Sequence, residues 1–152
     1  QDPANKMLAM VAAMVLTAFG CAGKAEKKAP PPSVESILAS TLTESDYGKP
    51  ERCVQISDYQ KIRVLDKQHL LFEGRGDKVW LNKLRSECPG LRKNAVLRLD
   101  LLSSRVCNLD SVTSIEVRRF YVDKLSATCS LGPFTRIPRE QAEFLKKEIR
   151  AR

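Results

Sequence analysis

Four cysteines, Cys53, Cys88, Cys107 and Cys129, are spread through the later two-thirds of this 152-residue chain, and a fifth, Cys21, stands apart near its start. An even set of widely spaced cysteines constrains a small chain strongly, because each bridge joins segments far apart in sequence. The spacing does not suit zinc. Structural zinc sites use cysteine pairs about two to four residues apart, and no two of the four are that close. No Cys-x-x-Cys redox pair occurs either. The four therefore read as two disulfides, which belong to an oxidising compartment. Three pairings are open to four cysteines. The expected one is Cys53–Cys129, stapling the domain ends, with Cys88–Cys107 inside.

Cys21 has a different setting. Lys6 is followed by an apolar run from Met7 to Phe19, then Gly20, then Cys21. The run is too short to span a bilayer, which needs about 20 apolar residues, but it suits a secretory signal. A cationic start, an apolar stretch, a small residue and a cysteine are the parts of a bacterial lipoprotein signal, so Cys21 is the expected lipidation site. Ala18-Phe19-Gly20 also fits ordinary signal cleavage, one alternative reading; an uncleaved anchor is the other. Each buried CH₂ contributes about 0.8 kcal/mol, and several acyl chains on one cysteine amount to permanent tethering. Ala22, rather than Asp, follows Cys21, which favours an outer-membrane address. The expected location is thus the periplasm of a Gram-negative cell, on a membrane anchor. Gln1 to Asn5 precede Met7 and are expected to lie outside the natural start, so they are left out of fold reasoning.

Residues 1–20 are then a leader, 21–50 a lipidated cysteine and linker, and 51–152 a β-rich domain. Gly23 to Ser33 is charged and Pro-rich, which favours an extended spacer over an ordered core. A short helix is expected from Val34 to Leu42, on the spacing of Val34, Ile37 and Leu38. From Arg52 onward apolar residues alternate and turns are frequent. About 100 residues suffice for one small domain.

The clearest element is a hairpin. His69-Leu-Leu-Phe-Glu73 leads through Gly74-Arg-Gly-Asp77 into Lys78-Val-Trp-Leu-Asn-Lys-Leu84. Glycines at 74 and 76 supply the positive φ of a tight turn. Glu73 is expected opposite Lys78, which sets Phe72 against Val79 and Leu70 against Leu81 on the core face. The other face then carries His69, Leu71, Glu73, Lys78, Trp80 and Asn82. Either the C-terminal helix or a loop covers Leu71 and Trp80, or this face is a binding surface built on Trp80 with Leu71, His69 and Asn82, since aromatic anchors are enriched at binding hot spots.

Further strands are expected at Lys61–Leu65, at Ala95–Leu101 with Leu97, Leu99 and Leu101 inward, over Val112–Tyr121, and over Thr128–Arg136. Short strands with turns between them argue for a mostly β fold, an antiparallel meander or small barrel. The chain closes with a helix. Pro138 suits its first turn, Ala142, Leu145 and Ile149 line one stripe, and Glu143 and Lys147 form an i,i+4 pair. So narrow a stripe fits a helix lying on the sheet.

Chemistry is sparse. His69 is the single histidine, and nothing near it resembles a nucleophile elbow. Glu73 shares its strand face, but two residues make no metal site. No glycine-rich phosphate cradle is present, and no cofactor or metal is expected. Arg75-Gly76-Asp77 matches an adhesion tripeptide, yet the turn explains it. The net charge is +8, with Arg92-Lys93, Arg118-Arg119 and the C-terminal cations contributing. Such a surface attracts anions: lipid headgroups, lipopolysaccharide phosphates or acidic glycans. Nucleic acid is not an expected partner in that compartment.

Cys53 and Ile56, Ile62-Arg-Val-Leu-Asp66, Leu70-Leu-Phe72, Val79-Trp-Leu-Asn82, Leu84, Cys88-Pro-Gly-Leu91, Arg105-Val-Cys107 and Cys129-Ser-Leu-Gly-Pro-Phe134 together resemble a family of small proteobacterial envelope proteins, a domain of unknown function. The likeness runs from Cys53 to Ile137; Arg118 to Ala127 and the charged terminal helix depart from it. It implies export, disulfides and an all-β fold, and supplies no activity. The expectation is a noncatalytic binding or accessory module of the envelope, with an envelope lipid, glycan or protein as partner. The alternatives are a small-ligand or glycan binder using the Trp80 face, and a hydrolase with a site built on His69.

Overall fold

Leu70-Leu-Phe72 and Val79-Trp-Leu81 are continuous apolar runs rather than alternating ones. A strand reads that way when both of its faces are buried. The computed structural model, which describes residues 32–41, 43 and 47–150, places both runs at the centre of a sheet. In chain order the first elements are α1 (Val34–Thr41), β1 (Cys53–Gln55), β2 (Tyr59–Val64), β3 (His69–Gly74) and β4 (Val79–Lys83). There follow β5 (Val96–Asp100), β6 (Arg105–Cys107), β7 (Ser111–Val117), β8 (Val122–Lys124), β9 (Cys129–Ser130), β10 (Phe134–Arg136) and α2 (Arg139–Arg150). The fold is mostly β and antiparallel, with a C-terminal helix and two disulfides.

One sheet runs β10-β4-β3-β2, a second runs β5-β7-β8 with β9 also on β7, and β1 pairs with β6. The main core lies against one face of the first sheet. Leu70, Phe72, Trp80 and Leu84 meet Val106, Val112, Leu131 and Phe134 there. Phe72 stacks edge-on against both Tyr59 and Phe134, with ring centroids 5.1 Å apart in each case. Leu97 and Leu99 pack against this core from β5, as their alternation predicts.

The opposite face of the same sheet carries Leu71, Val79 and Leu81, and the two helices cover it. Ala142, Leu145 and Ile149 of α2 and Val34, Ile37 and Leu38 of α1 supply the covering stripe. Ser33 caps α1, its hydroxyl accepting from the Ser36 N–H at 3.1 Å, the role Ser favours at that position. The short helix expected from Val34 packs on the sheet beside α2. Its three apolar residues at i, i+3 and i+4 form a face that water disfavours and the sheet accepts.

The β3–β4 register differs by one residue from the expected one. Glu73 lies opposite Val79, Phe72 opposite Trp80, Leu71 opposite Leu81 and Leu70 opposite Asn82. The turn is the cause. Gly74 remains in β3 and its N–H donates to the Lys78 carbonyl at 2.7 Å, so the loop holds only Arg75, Gly76 and Asp77. Gly76 takes φ 59°. Gly74 is required for a separate reason: a Cβ there would sit 2.0 Å from the Asp58 carbonyl oxygen.

The disulfides also differ from the expected pairing. Cys53 bonds Cys107, its direct cross-strand partner between β1 and β6. Cys88 bonds Cys129, which β9 places beside Val112 of β7. Strand pairing, not order along the chain, decides which sulfurs meet.

Candidate functional site

The residues expected to form a binding face are all inside. Trp80 is 4% exposed in the main core; its Nε1 donates to Glu51 at 3.1 Å, and the Arg136 guanidinium lies 5.4 Å from its ring centroid. Leu71 is on the other face, under the helices. Asn82 is buried and clamps Gly132: its Nδ2 donates to the Gly132 carbonyl at 2.7 Å and its Oδ1 accepts the Gly132 N–H at 3.2 Å. His69 is buried as well. These four residues do not come together as a surface. The register shift sends Trp80 and Leu71 to opposite sides of the sheet, and each side is covered.

His69 does have a polar partner. Its Nδ1 lies 2.9 and 3.0 Å from the two carboxylate oxygens of Asp66. Asp66 Oδ1 also accepts the N–H groups of Gln68 and His69, both at 2.8 Å. Burial opposes ionisation of Asp66, but these hydrogen bonds outweigh it and hold the carboxyl below its usual range. A cavity of about 250 Å³ beside the pair is lined by Ser33, Glu35, Gln68 and Glu87. Ser33 is occupied as the helix cap. Among the described residues no group of three or more His, Cys, Asp or Glu is arranged to hold a metal ion.

The second sheet presents a more open site. In β5 the residues alternate, Leu97 and Leu99 facing the core and Val96 the other way. Val96 pairs with Ile115 of β7, and Val117, two residues on, shares that outer face. Across the hairpin Val122 stands opposite Val117 and Lys124 opposite Ile115. The result is an apolar groove of about 530 Å³, floored by Ala95, Val96, Ile115, Val117 and Leu125. Arg92 and Lys93 stand at its rim with Asn94, and Glu116 adds the one carboxylate.

Lys93 and Asn94 also line a neighbouring pocket of about 320 Å³ with Arg63, Lys146 and Arg150. Arg63 and Lys146 there are both committed to Glu73, while Lys93, shared with the groove, donates to the Ile149 carbonyl at 2.7 Å and keeps its charge. The groove is therefore the better place for a ligand, with an apolar floor and a cationic edge. The strand expected within Val112–Tyr121 and the Arg92-Lys93 pair were visible in the sequence. Their meeting was not, because it depends on the β5–β7 register. Cys21 lies outside the described residues, and among those residues no helix is long and apolar enough to cross a membrane.

No curated protein and no solved structure matches the chain. A family match does exist, and it extends over residues 4–150, taking in every helix and strand described above. The chain belongs to DUF6491, a family of unknown function.

Proposed function

We propose that this protein is an envelope lipoprotein, tethered through Cys21, whose folded part is a noncatalytic binding module for an anionic amphiphile. The observation that carries the reading is the groove, which joins an apolar floor of Val96, Ile115 and Val117 to the cations Arg92 and Lys93. Such a site suits a ligand with a phosphate or carboxylate head and an apolar tail. The apolar floor contributes roughly 25 cal/mol per Å² of tail surface removed from water, and the net charge of +8 raises the local concentration of anions. The two disulfides support an oxidising compartment, and the apolar run before Cys21 supports export to the periplasm, with Ala22 favouring the outer membrane.

The test is calorimetric titration of the full chain with decyl phosphate below its micelle concentration, beside inorganic phosphate alone. Saturable binding of decyl phosphate, at least tenfold tighter than phosphate, is the expected result. Arg92→Glu and Val96→Glu should each weaken it at least tenfold without moving the melting temperature. Equal affinity for the two anions, or indifference to both substitutions, refutes the reading.

A hydrolase has one observation in its favour, the Asp66–His69 pair beside a cavity. It would need a nucleophile, and Ser33 is held as a cap. Loss of a measured esterase activity in His69→Ala, with the fold intact, would support it over the binding reading.

A further inference from the structure

The hairpin between β7 and β8 carries an apolar surface that the fold does not use. Val117 and Val122 pair at its base, and the Arg118 N–H donates to the Tyr121 carbonyl at 2.9 Å to close the turn. Arg119 and Phe120 are left at the tip. Phe120 is 87% exposed, and Val117, Tyr121 and Val122 are each more than half exposed. Single exposed apolar residues such as Leu102 are ordinary, whereas a contiguous patch rimmed by charge marks an interaction site.

Charges of both signs surround the patch, with the cations in excess. Arg118 is tied back to Glu116 at 2.8 Å and to the Tyr121 hydroxyl at 3.2 Å, with its guanidinium 5.6 Å from the Tyr121 ring centroid. These contacts hold the turn in shape. Glu116 and Asp123 pair in register between the Ile115–Lys124 and Val117–Val122 pairs, and Glu116 also lines the groove. On the apolar face stands Lys124, with Arg92 and Lys93 at the rim of the adjoining groove. Arg119 and Lys124 make no ion pair among the described residues. A protruding tip with an aromatic ring, with Arg119 and Lys124 beside it and Glu116 held by Arg118, complements a surface of anionic headgroups over an apolar layer. Aromatic rings favour the bilayer interface, and Lys and Arg are drawn to anionic lipids.

We propose that the Val117–Val122 hairpin is a membrane-docking wedge, which seats Phe120 and Tyr121 in the interface of an anionic lipid bilayer. This deepens the reading above, since it gives the groove's amphiphile a lipid source, and it rests on that reading for the compartment in which the bilayer is met. Docking would turn the Val96–Val117 face toward the membrane and set the mouth of the groove beside the lipid headgroups.

The experiment compares two full-length variants, Phe120→Trp and Leu102→Trp, each also carrying Cys21→Ser so that no acyl chain anchors it, with phosphatidylcholine vesicles that contain or lack phosphatidylglycerol. Trp80 is buried and contributes a constant background. With anionic vesicles, emission of the Phe120→Trp variant should shift to the blue, with acrylamide quenching reduced at least threefold, and salt should reverse both. The Leu102→Trp variant, 96% exposed at that position, should not respond, and neutral vesicles should affect neither. No response in the Phe120→Trp variant, or an equal response in both variants, overturns the wedge. A blue shift that grows with protein concentration in the absence of vesicles, with a dimer in sedimentation, also overturns it and assigns the patch to a second copy pairing through the β8 edge. Decyl phosphate binding separates the two proposals: a Phe120→Ser variant should keep it while losing anionic vesicles. Vesicle docking without decyl phosphate binding would sink the groove and leave the wedge.

Discussion

Lys146 of α2 sets its ammonium 2.5 Å from one carboxylate oxygen of Glu73 on β3, and both side chains are only 10% exposed. Arg63 of β2 takes the other oxygen at 2.6 Å. Lys146 also reaches Glu143, one turn earlier on the helix, in place of the Glu143–Lys147 contact the sequence suggested. One carboxylate thus joins the terminal helix to two strands. The apolar stripe of α2 decides that the helix lies on the sheet, and the Glu73 contacts fix where along the sheet it lies.

That arrangement predicts an acid-sensitive helix. Burial would raise the Glu73 carboxyl, but the hydrogen bonds and charges of Lys146 and Arg63 outweigh it, so the folded-state value lies below the ordinary one. A depressed carboxylate contributes stability above its unfolded value, about 4.3, and that contribution is lost as pH falls through the folded value. Glu73→Gln should therefore lower stability near neutral pH by about 1–3 kcal/mol and flatten the acid limb. Urea melts across a pH series would show this; an unchanged acid limb would mean that Glu73 is not the group responsible.

The disulfide pairing is directly checkable. Nonreducing peptide mapping should recover Cys53 with Cys107 and Cys88 with Cys129. The bridges span 54 and 41 residues, and chain entropy alone assigns each about 4 kcal/mol. Replacing the Cys88–Cys129 pair by alanines should be the more damaging change, since both sulfurs lie in the main core. Recovery of Cys53 with Cys129 would contradict the β1–β6 pairing itself.

Asn82 should be hard to replace. Asn82→Leu keeps the size but strands the N–H and carbonyl of Gly132, both of which bond to the amide. A cost of about 1–3 kcal/mol is expected from each buried group left unpaired. Gly132→Ala should be worse than its size suggests, because a Cβ would meet the Lys83 carbonyl oxygen at 1.9 Å. Chemical denaturation of both variants is the measurement, and a neutral Asn82→Leu would show that water or repacking replaces the clamp.

Leu145 is fully buried under the helix layer, and Leu145→Ala should cost about 2–5 kcal/mol. The loss should appear as dye binding to the face of Leu71, Val79 and Leu81, without a change in Trp80 emission, since the indole lies in the other core. A parallel loss of Trp80 burial would mean that the two cores do not yield separately.

Local periodicity determined much of this fold without any knowledge of partners. The alternation in Ala95–Leu101, the stripe of Ala142, Leu145 and Ile149 and the breakers between strands each depend on a few neighbouring residues, and so does the short helix after Ser33. A mostly β antiparallel domain with a terminal helix and oxidised cysteines follows from them. The candidate groove was legible only as separate pieces, a strand within Val112–Tyr121 and the Arg92-Lys93 pair, because its floor is assembled from strands that are not neighbours in sequence.

Register and pairing belonged to the tertiary structure. The expected register would have set Leu70, Leu71 and Phe72 all against apolar residues of β4, whereas the observed one keeps two such pairs and sets Leu70 opposite Asn82 and Glu73 opposite Val79, so cross-strand matching pointed to a register the fold does not use. The observed register goes with Gly74 bonding Lys78 across a three-residue loop, and with helices that bury the second face. The cysteines met by the same logic, through strand partners set by long-range contacts, for which spacing along the chain carries no information.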